Sequence, residues 1–395
     1  MKTVIINTVG FDGGGIARLG IEYSKLGFDV YFKNTIKYLQ IKPTNIGEIK
    51  FYDDLHLILP NYDRAIFLTF YDDNLQITVR ELITLKKKFS NIEFWYLYCD
   101  RNLVRLEKLL SILKEENFNL FDGYFSINPN IFALVNNYVY LNVNAYTFKS
   151  CDMKPLNERK RIVLTAGRTE GFKGVLLYFS FINKEFLDTD YYYIHEGANF
   201  SFNKFGRVSV PPQLLNLFDT NVSPKVIKPE FSFNKYGDEP VFDKFTIYPS
   251  YNSDSIMNRW SNYYAGICCI LGSKSISRPV KNLIGGYNWV LDDKIENTLI
   301  NKKCKIWNDA IEYANIEMIE AGLPVLFSRK YSQIIGFSDE HLIYDAFSMI
   351  PLKLDELMTD YNSIREKQYT FFVKKQTKIN NYIKKVFVTE SRYLL

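Results

Sequence analysis

The chain has 395 residues, more than one hydrophobic core ordinarily organises, so two domains are expected. Apolar residues make up 47% and charged residues 24%, the balance of a soluble globular protein, and a net charge of +5 permits a polyanionic partner without requiring one. No run approaches the roughly 20 apolar residues of a membrane span, and five cysteines without a Cys-x-x-Cys spacing exclude a disulfide or zinc framework and point to reduced thiols in a cytosol.

The N-terminal stretch MKTVIINTVGFDGG carries a single Lys and enters a β-branched run, so a strand is expected there and not a secretion signal. TVIINTV (3–9) reads as a buried strand, IARLGIEYSKLG (16–27) as a helix stopped by Gly27, and FDVYF (28–32) as the next strand. Between strand and helix stand Gly13, Gly14 and Gly15. Glycines at the first turn of such a unit free backbone N–H groups at a helix N-terminus, which is an anion-binding arrangement. The dinucleotide fingerprint fails, because Arg18 holds the third glycine position and the second strand ends in Lys33 instead of an acid. No Gly-Lys-Ser/Thr follows, which excludes a P-loop. At this point a tight strand-to-helix turn explains the glycines equally well.

AIFLTFY (65–71) and IEFWYLYC (92–99) are strand-like, with the amphipathic LQITVRELITLKKKF between them. A polar linker, KSCDMKPLNERK (149–160), precedes RIVLTAG (161–167), where a second strand–glycine–helix unit begins. Further strands are expected at YYYIHEG (191–197), KFTIYP (244–249), GLPVLFS (322–328) and HLIYD (341–345). The stretch 308–321 has helical spacing and stops at Gly322, and 361–387 reads as one long helix or two consecutive ones. Alternating strands and helices imply parallel sheets covered on both faces. The expected fold is therefore α/β, with two Rossmann-like domains, 1–155 and 156–370, facing across a cleft. A C-terminal helix, 371–395, is expected to cross back to the first domain.

Four pieces carry chemistry. The glycines 13–15 form the first. The second is Gly167-Arg168…Lys173-Gly174, two cations five residues apart at a strand end, suited to a diphosphate because Arg offers forked donors and Lys a point charge. The third is His195-Glu196-Gly197 directly after a strand. The fourth is Glu312…Glu317 ahead of Gly322-Leu323-Pro324, where a glutamate near a helix N-terminus can accept from both ribose hydroxyls or can simply be a surface carboxylate. Lys86-Lys87-Lys88, Arg159-Lys160-Arg161 and the lysines of the last helix read as solvated faces or as polyanion patches. Asp188-Thr189-Asp190 has the spacing that can share a divalent cation with a diphosphate, but it precedes a strand instead of ending one.

In this order the pieces resemble those of retaining GT-B glycosyltransferases and, more closely, of the DNA α-glucosyltransferase family of T-even phages. That family's Gly-x-x-Gly-x-Gly turn is matched by Gly10, Gly13 and Gly15, and the basic and acidic positions after it by Arg18 and Glu22. Its Gly-Arg-(x)₄-Lys-Gly is matched by Gly167, Arg168, Lys173 and Gly174, and its Glu-Gly by Glu196 and Gly197. Its Leu-Glu-Tyr-(x)₃-Glu-(x)₄-Gly reads here IEYANIEMIEAGLPVLF, with Glu312, Tyr313, Glu317 and Gly322.

The resemblance implies transfer of a sugar, glucose in the family, from a UDP-sugar co-substrate, with no resident cofactor or metal. Arg168 and Lys173 would neutralise the leaving diphosphate, and the backbone of Gly13–Gly15 would lie against the donor. Glu317 would hold ribose, and Glu312 or Glu196 would contact nucleotide or sugar. On the acceptor side the family's Asp corresponds to Asp100, although its flanking histidines are here Cys99 and Arg101. A duplex DNA acceptor would offer the hydroxyl of a flipped hydroxymethylated pyrimidine, with Arg101, Arg105 and Lys86–Lys88 as phosphate contacts. If the gene is phage-borne, the host cytoplasm is the expected compartment. A carbohydrate, lipid or protein acceptor and a non-catalytic sugar-nucleotide-binding module remain open from the residues alone.

Overall fold

The computed structural model describes residues 1–8, 15–34, 49–69, 75–99, 104–126, 134–141, 144–149, 153–167, 188–198, 244–249, 259–270 and 311–390, with shorter stretches at 131, 175, 178, 181–182, 186, 201–202, 208–209, 225–226, 278–281, 287–290 and 394. The chain divides into two compact units, one from Met1–Thr147 and Lys374–Leu395, the other from Phe148–Leu291 and Ile311–Val373.

In the first unit the order is β1 (Thr3–Asn7), α1 (Gly15–Lys25), β2 (Asp29–Lys33), β3 (Lys50–Tyr52), β4 (Arg64–Leu68), α2 (Leu75–Lys88), β5 (Glu93–Tyr98), α3 (Val104–Glu115), β6 (Gly123–Ser126) and β7 (Tyr138–Tyr140). All seven strands pair in parallel in the order β3-β2-β1-β4-β5-β6-β7. Strands covered on both faces read as continuous apolar runs, and β1 and β4 are buried at every position. Val4, Ile6, Phe67, Phe94 and Tyr96 pack with Val79 and Leu82 of α2 and Leu109 of α3.

The second unit holds β8 (Lys160–Ala166), β9 (Tyr192–Ala198), the short β10 (Ser201–Phe202), β11 (Val208–Ser209) and β12 (Lys225–Val226), β13 (Phe245–Pro249) and β14 (Tyr263–Cys268). Then come β15 (Arg278–Lys281), β16 (Tyr287–Val290), α4 (Tyr313–Glu320), β17 (Val325–Ser328), α5 (Arg329–Ile335), β18 (Ile343–Tyr344) and α6 (Ile350–Leu357). Its main sheet is also parallel throughout, β12-β13-β9-β8-β14-β17-β18. β14, which the sequence does not announce, lies inside this sheet and is buried at every position. Its Gly266 leaves room for α4: a Cβ there would meet Met318 Sδ at 2.7 Å.

The last helix, α7 (Tyr361–Val388), is one continuous element of 28 residues. Its first half is tied to the second unit, where Gln368 bonds both N–H and C=O of Val325 at 2.8 Å. From Lys374 onward it belongs to the first unit, as the expectation of a returning helix requires. Gln376 donates to the Asn144 carbonyl (2.7 Å) and Asn380 to that of Tyr146 (2.8 Å), and the Phe387 carbonyl accepts from Thr3 (2.8 Å) and Arg64 (3.0 Å).

Candidate functional site

In open parallel sheets ligands lie outside the carboxyl ends of the strands, at the point where the strand order reverses. Here the order reverses between β1 and β4 in the first unit and between β8 and β14 in the second. The glycines of the first turn follow β1, with Gly15 opening α1, and Gly167 follows β8. Gly13, Gly14, Asp100, Arg101, Arg168 and Lys173 lie outside the described residues.

Gly167 has φ of +112°, which an L side chain rarely adopts, and its N–H donates to the Glu196 carbonyl at 2.8 Å. The Glu196 carboxylate is buried. Its Oε2 accepts from Arg259 Nη2 (2.6 Å) and Trp260 Nε1 (2.9 Å), and its Oε1 from Arg259 Nε (3.3 Å). Burial raises its pKa above the ordinary glutamate value, with Arg259 and Trp260 opposing. Among the described residues the Glu196 carboxylate is held by Arg259 and Trp260. Gly197 continues the same strand. His195 is buried on it, with Nδ1 2.8 Å from Thr165 Oγ1.

Glu312 stands at the N-cap of α4, where its extended backbone (φ −69°, ψ 146°) starts the helix and its side chain does not cap it. Its N–H donates to the Tyr331 hydroxyl at 3.3 Å. Five residues separate Glu312 from Glu317, which at 3.6 residues per turn sets them about 140° apart around the helix, whereas Tyr313 and Glu317 share a face. All three are half-buried. Glu320, at the far end of α4, is buried and accepts the Lys149 N–H at 2.5 Å.

In the first unit Thr69 ties the carboxyl ends of β4 and β5 together, its hydroxyl donating to the Leu97 carbonyl (2.9 Å) and accepting from the Cys99 N–H (2.8 Å). Arg105 is exposed in the first turn of α3, which starts at this carboxyl edge.

Lys86, Lys87 and Lys88 are not brought there. They end α2, which begins at the carboxyl edge and runs back about 20 Å at 1.5 Å per residue to the amino edge. Lys86 bonds the Asp122 carboxylate and the Ile92 carbonyl (both 2.7 Å), Lys87 covers Phe118, and Lys88 lies 3.1 Å from His56 Nδ1. Arg159 is likewise structural, donating to the carbonyls of Lys154 and Tyr263, and Arg161 pairs with Asp190 at 2.9 Å. Among the described residues no group of three or more His, Cys, Asp or Glu is gathered as metal ligands, and no helix is long and apolar enough to cross a membrane.

Arg259, Trp260, Thr69 and Tyr331 carry no sequence signal. Arg259 reaches Glu196 across 63 positions, and no local spacing encodes that.

No protein-family model matches the sequence, and no curated protein does. Solved structures do. An α-glucosyltransferase in complex with UDP and a 13-mer DNA containing a central A:G mismatch superposes with a TM-score of 0.64 at 15% identity, covering 96% of this chain and 99% of that one. One in complex with UDP and a 13-mer DNA containing a HMU base gives 0.65 at 14%, covering 96% and 98%. One with UDP-glucose and DNA containing an abasic site also gives 0.65 at 14%, covering 96% and 99%. The fold is that of the GT-B glycosyltransferases.

Proposed function

We propose that the protein is a retaining glycosyltransferase that moves a sugar, glucose in the first instance, from a UDP-sugar to the hydroxyl of a hydroxymethylated pyrimidine in DNA. The observation that supports the reading is end-to-end likeness to structures in complex with UDP, UDP-glucose and DNA, joined to glycines that follow in sequence a switch-point strand of each sheet. Domain roles follow: the N-terminal unit receives the acceptor and the C-terminal unit the nucleotide sugar.

In this reading Arg168 and Lys173, leaving β8 through the Gly167 turn, neutralise the diphosphate as the bond from sugar C1 to phosphate oxygen breaks. The backbone of Gly13–Gly15 admits the donor where a Cβ would collide. Glu317 accepts from the ribose hydroxyls and Glu312 from the sugar. The acceptor oxygen bonds C1 on the face the diphosphate leaves, and its proton passes to Asp100. The chain supplies no nucleophile in this scheme, and the reaction needs the UDP-sugar alone, with no resident cofactor.

The test is incubation with a panel of nucleotide sugars and duplexes containing hydroxymethylcytosine or hydroxymethyluracil, followed by digestion to nucleosides and mass measurement. A hexose increment on the modified pyrimidine with UDP-glucose is expected. Transfer to a glycan or lipid primer with none to DNA would overturn the acceptor assignment, and UDP-sugar turnover unaffected by both Arg168→Ala and Lys173→Ala would overturn the diphosphate assignment.

A further inference from the structure

The Gly167 turn has a support that no motif announces. β8 and β9 run in register with Ala166 opposite Glu196, and the Gly167 N–H to Glu196 carbonyl bond is the last rung before the chain departs at φ +112°. The conformation of Gly167 at the end of β8 is thus set against the backbone of Glu196. That residue in turn is fixed through its side chain. Arg259 grips both carboxylate oxygens, Trp260 donates to one of them, and side-chain exposures of 4% for Glu196 and 12% for Arg259 leave little of the pair to water. A buried ion pair is a weak stabilising device compared with apolar packing, and its best-attested use is to specify one arrangement. What Glu196 presents to Gly167 is its main-chain carbonyl.

We propose that Arg259 and Trp260 are positioning residues for the diphosphate-binding turn: by holding Glu196 they fix the rung on which Gly167 departs from the sheet. This rests on the assignment of the diphosphate to that turn, and it adds two residues from a distant part of the chain to the machinery. Arg259 acts through Glu196, and its contribution is geometric: a misaimed cation loses much of its effect on a developing charge.

The test compares the full-length wild type with Arg259→Lys, Arg259→Met and the double variant Glu196→Gln/Arg259→Met. Two quantities are read: hydrogen exchange at the Gly167 amide, and the Kd for UDP by calorimetry. Arg259→Met is expected to speed Gly167 exchange and weaken UDP binding, each about tenfold. Arg259→Lys, which keeps the charge on one oxygen, should recover most of both. The double variant replaces the buried charge by an amide that still accepts from Trp260, so it folds without an unpaired carboxylate and reports the geometry alone. Its UDP affinity should stay several-fold below wild type. Unchanged exchange at Gly167 and unchanged UDP affinity in both Met-containing variants would overturn the proposal. Faster exchange at Gly167 in a protein whose wild type does not bind UDP would uphold the positioning and discard the diphosphate assignment.

Discussion

Replacing Arg64 by Met tests how the returning helix is held to the first unit. Arg64 opens β4 with its side chain wholly buried, bonding Glu93 Oε2 through Nε (2.8 Å) and Nη2 (2.5 Å) and the Phe387 carbonyl through Nη1 (3.0 Å), over the Trp95 ring at 4.9 Å. Burial pulls its pKa below the ordinary arginine value, with Glu93 opposing. Breaking a fully buried pair by removing one partner costs about 3–5 kcal/mol. Glu93 keeps 27% exposure and its bond from Trp95 (3.1 Å), so the cost of its orphaned charge falls to about 1–2 kcal/mol. The Phe387 carbonyl keeps Thr3 as donor, so that bond contributes about 0.5–1.5 kcal/mol, and the cation–π contact adds about 0.5–1 kcal/mol. Met fills most of the volume, and relief of the guanidinium's desolvation offsets part of the sum. The expected loss is about 2–3 kcal/mol, or a fall in Tm of about 5–10 °C for a unit of this size. Urea unfolding followed by circular dichroism gives the first number, and amide exchange in the last turns of α7 should rise with it. A loss under about 0.5 kcal/mol would show that Arg64 adds nothing to the hold that Thr3, Gln376, Asn380 and apolar packing already give the C-terminal half of α7.

Gly266→Ala should cost about 1–3 kcal/mol in the same assay, because its Cβ meets Met318 Sδ at 2.7 Å and Val325 Cγ2 at 3.1 Å. Combined with Met318→Ala it should cost less than the two changes separately, and strict additivity would refute the clash. In duplex DNA binding, Arg105→Ala should lower the slope of log K against log salt by about one, while Lys86→Ala/Lys87→Ala/Lys88→Ala leaves it unchanged. The reverse pattern would place the DNA at the amino edge. The Asp29 carboxyl is held below its ordinary value by the Lys50 ammonium (2.6 Å) and then the Tyr62 hydroxyl (2.7 Å). A depressed carboxylate stabilises the fold above its unfolded pKa and stops doing so as pH falls through the folded one. Asp29→Asn should therefore cost under about 1 kcal/mol at pH 7, since the pair is partly exposed, and progressively less as the pH falls below the ordinary carboxylate range; a gap that widens on acidification would contradict the pairing.

Where the sequence was sufficient, the signal was local. The apolar runs of β1, β4, β5 and β8, the helical spacing of α1 and α2, and the glycines at 27 and 322 (φ +93° and +77°) each state their conformation within a few residues. Two strand–glycine–helix units then imply two parallel sheets. β14 escaped because YYAGIC carries small residues at its centre, a requirement of α4 packing on it that only the assembled sheet reveals.

The site was legible to the same depth. Sequence order alone placed glycine turns after the first strand of each half, and a glutamate at the head of a helix. It could not separate Arg105 from Lys86–Lys88, which are all cations near strand-like runs in the text of the chain. The direction in which α2 returns across the sheet put the lysines at the edge opposite the switch point. Nor could it turn Glu196 inward, since that depends on Arg259 arriving from another crossover. Backbone conformation is decided by neighbours a few bonds away, and so it is written in the sequence. The partner of a charge is decided by which distant elements share a sheet edge, and that exists only once the chain has folded.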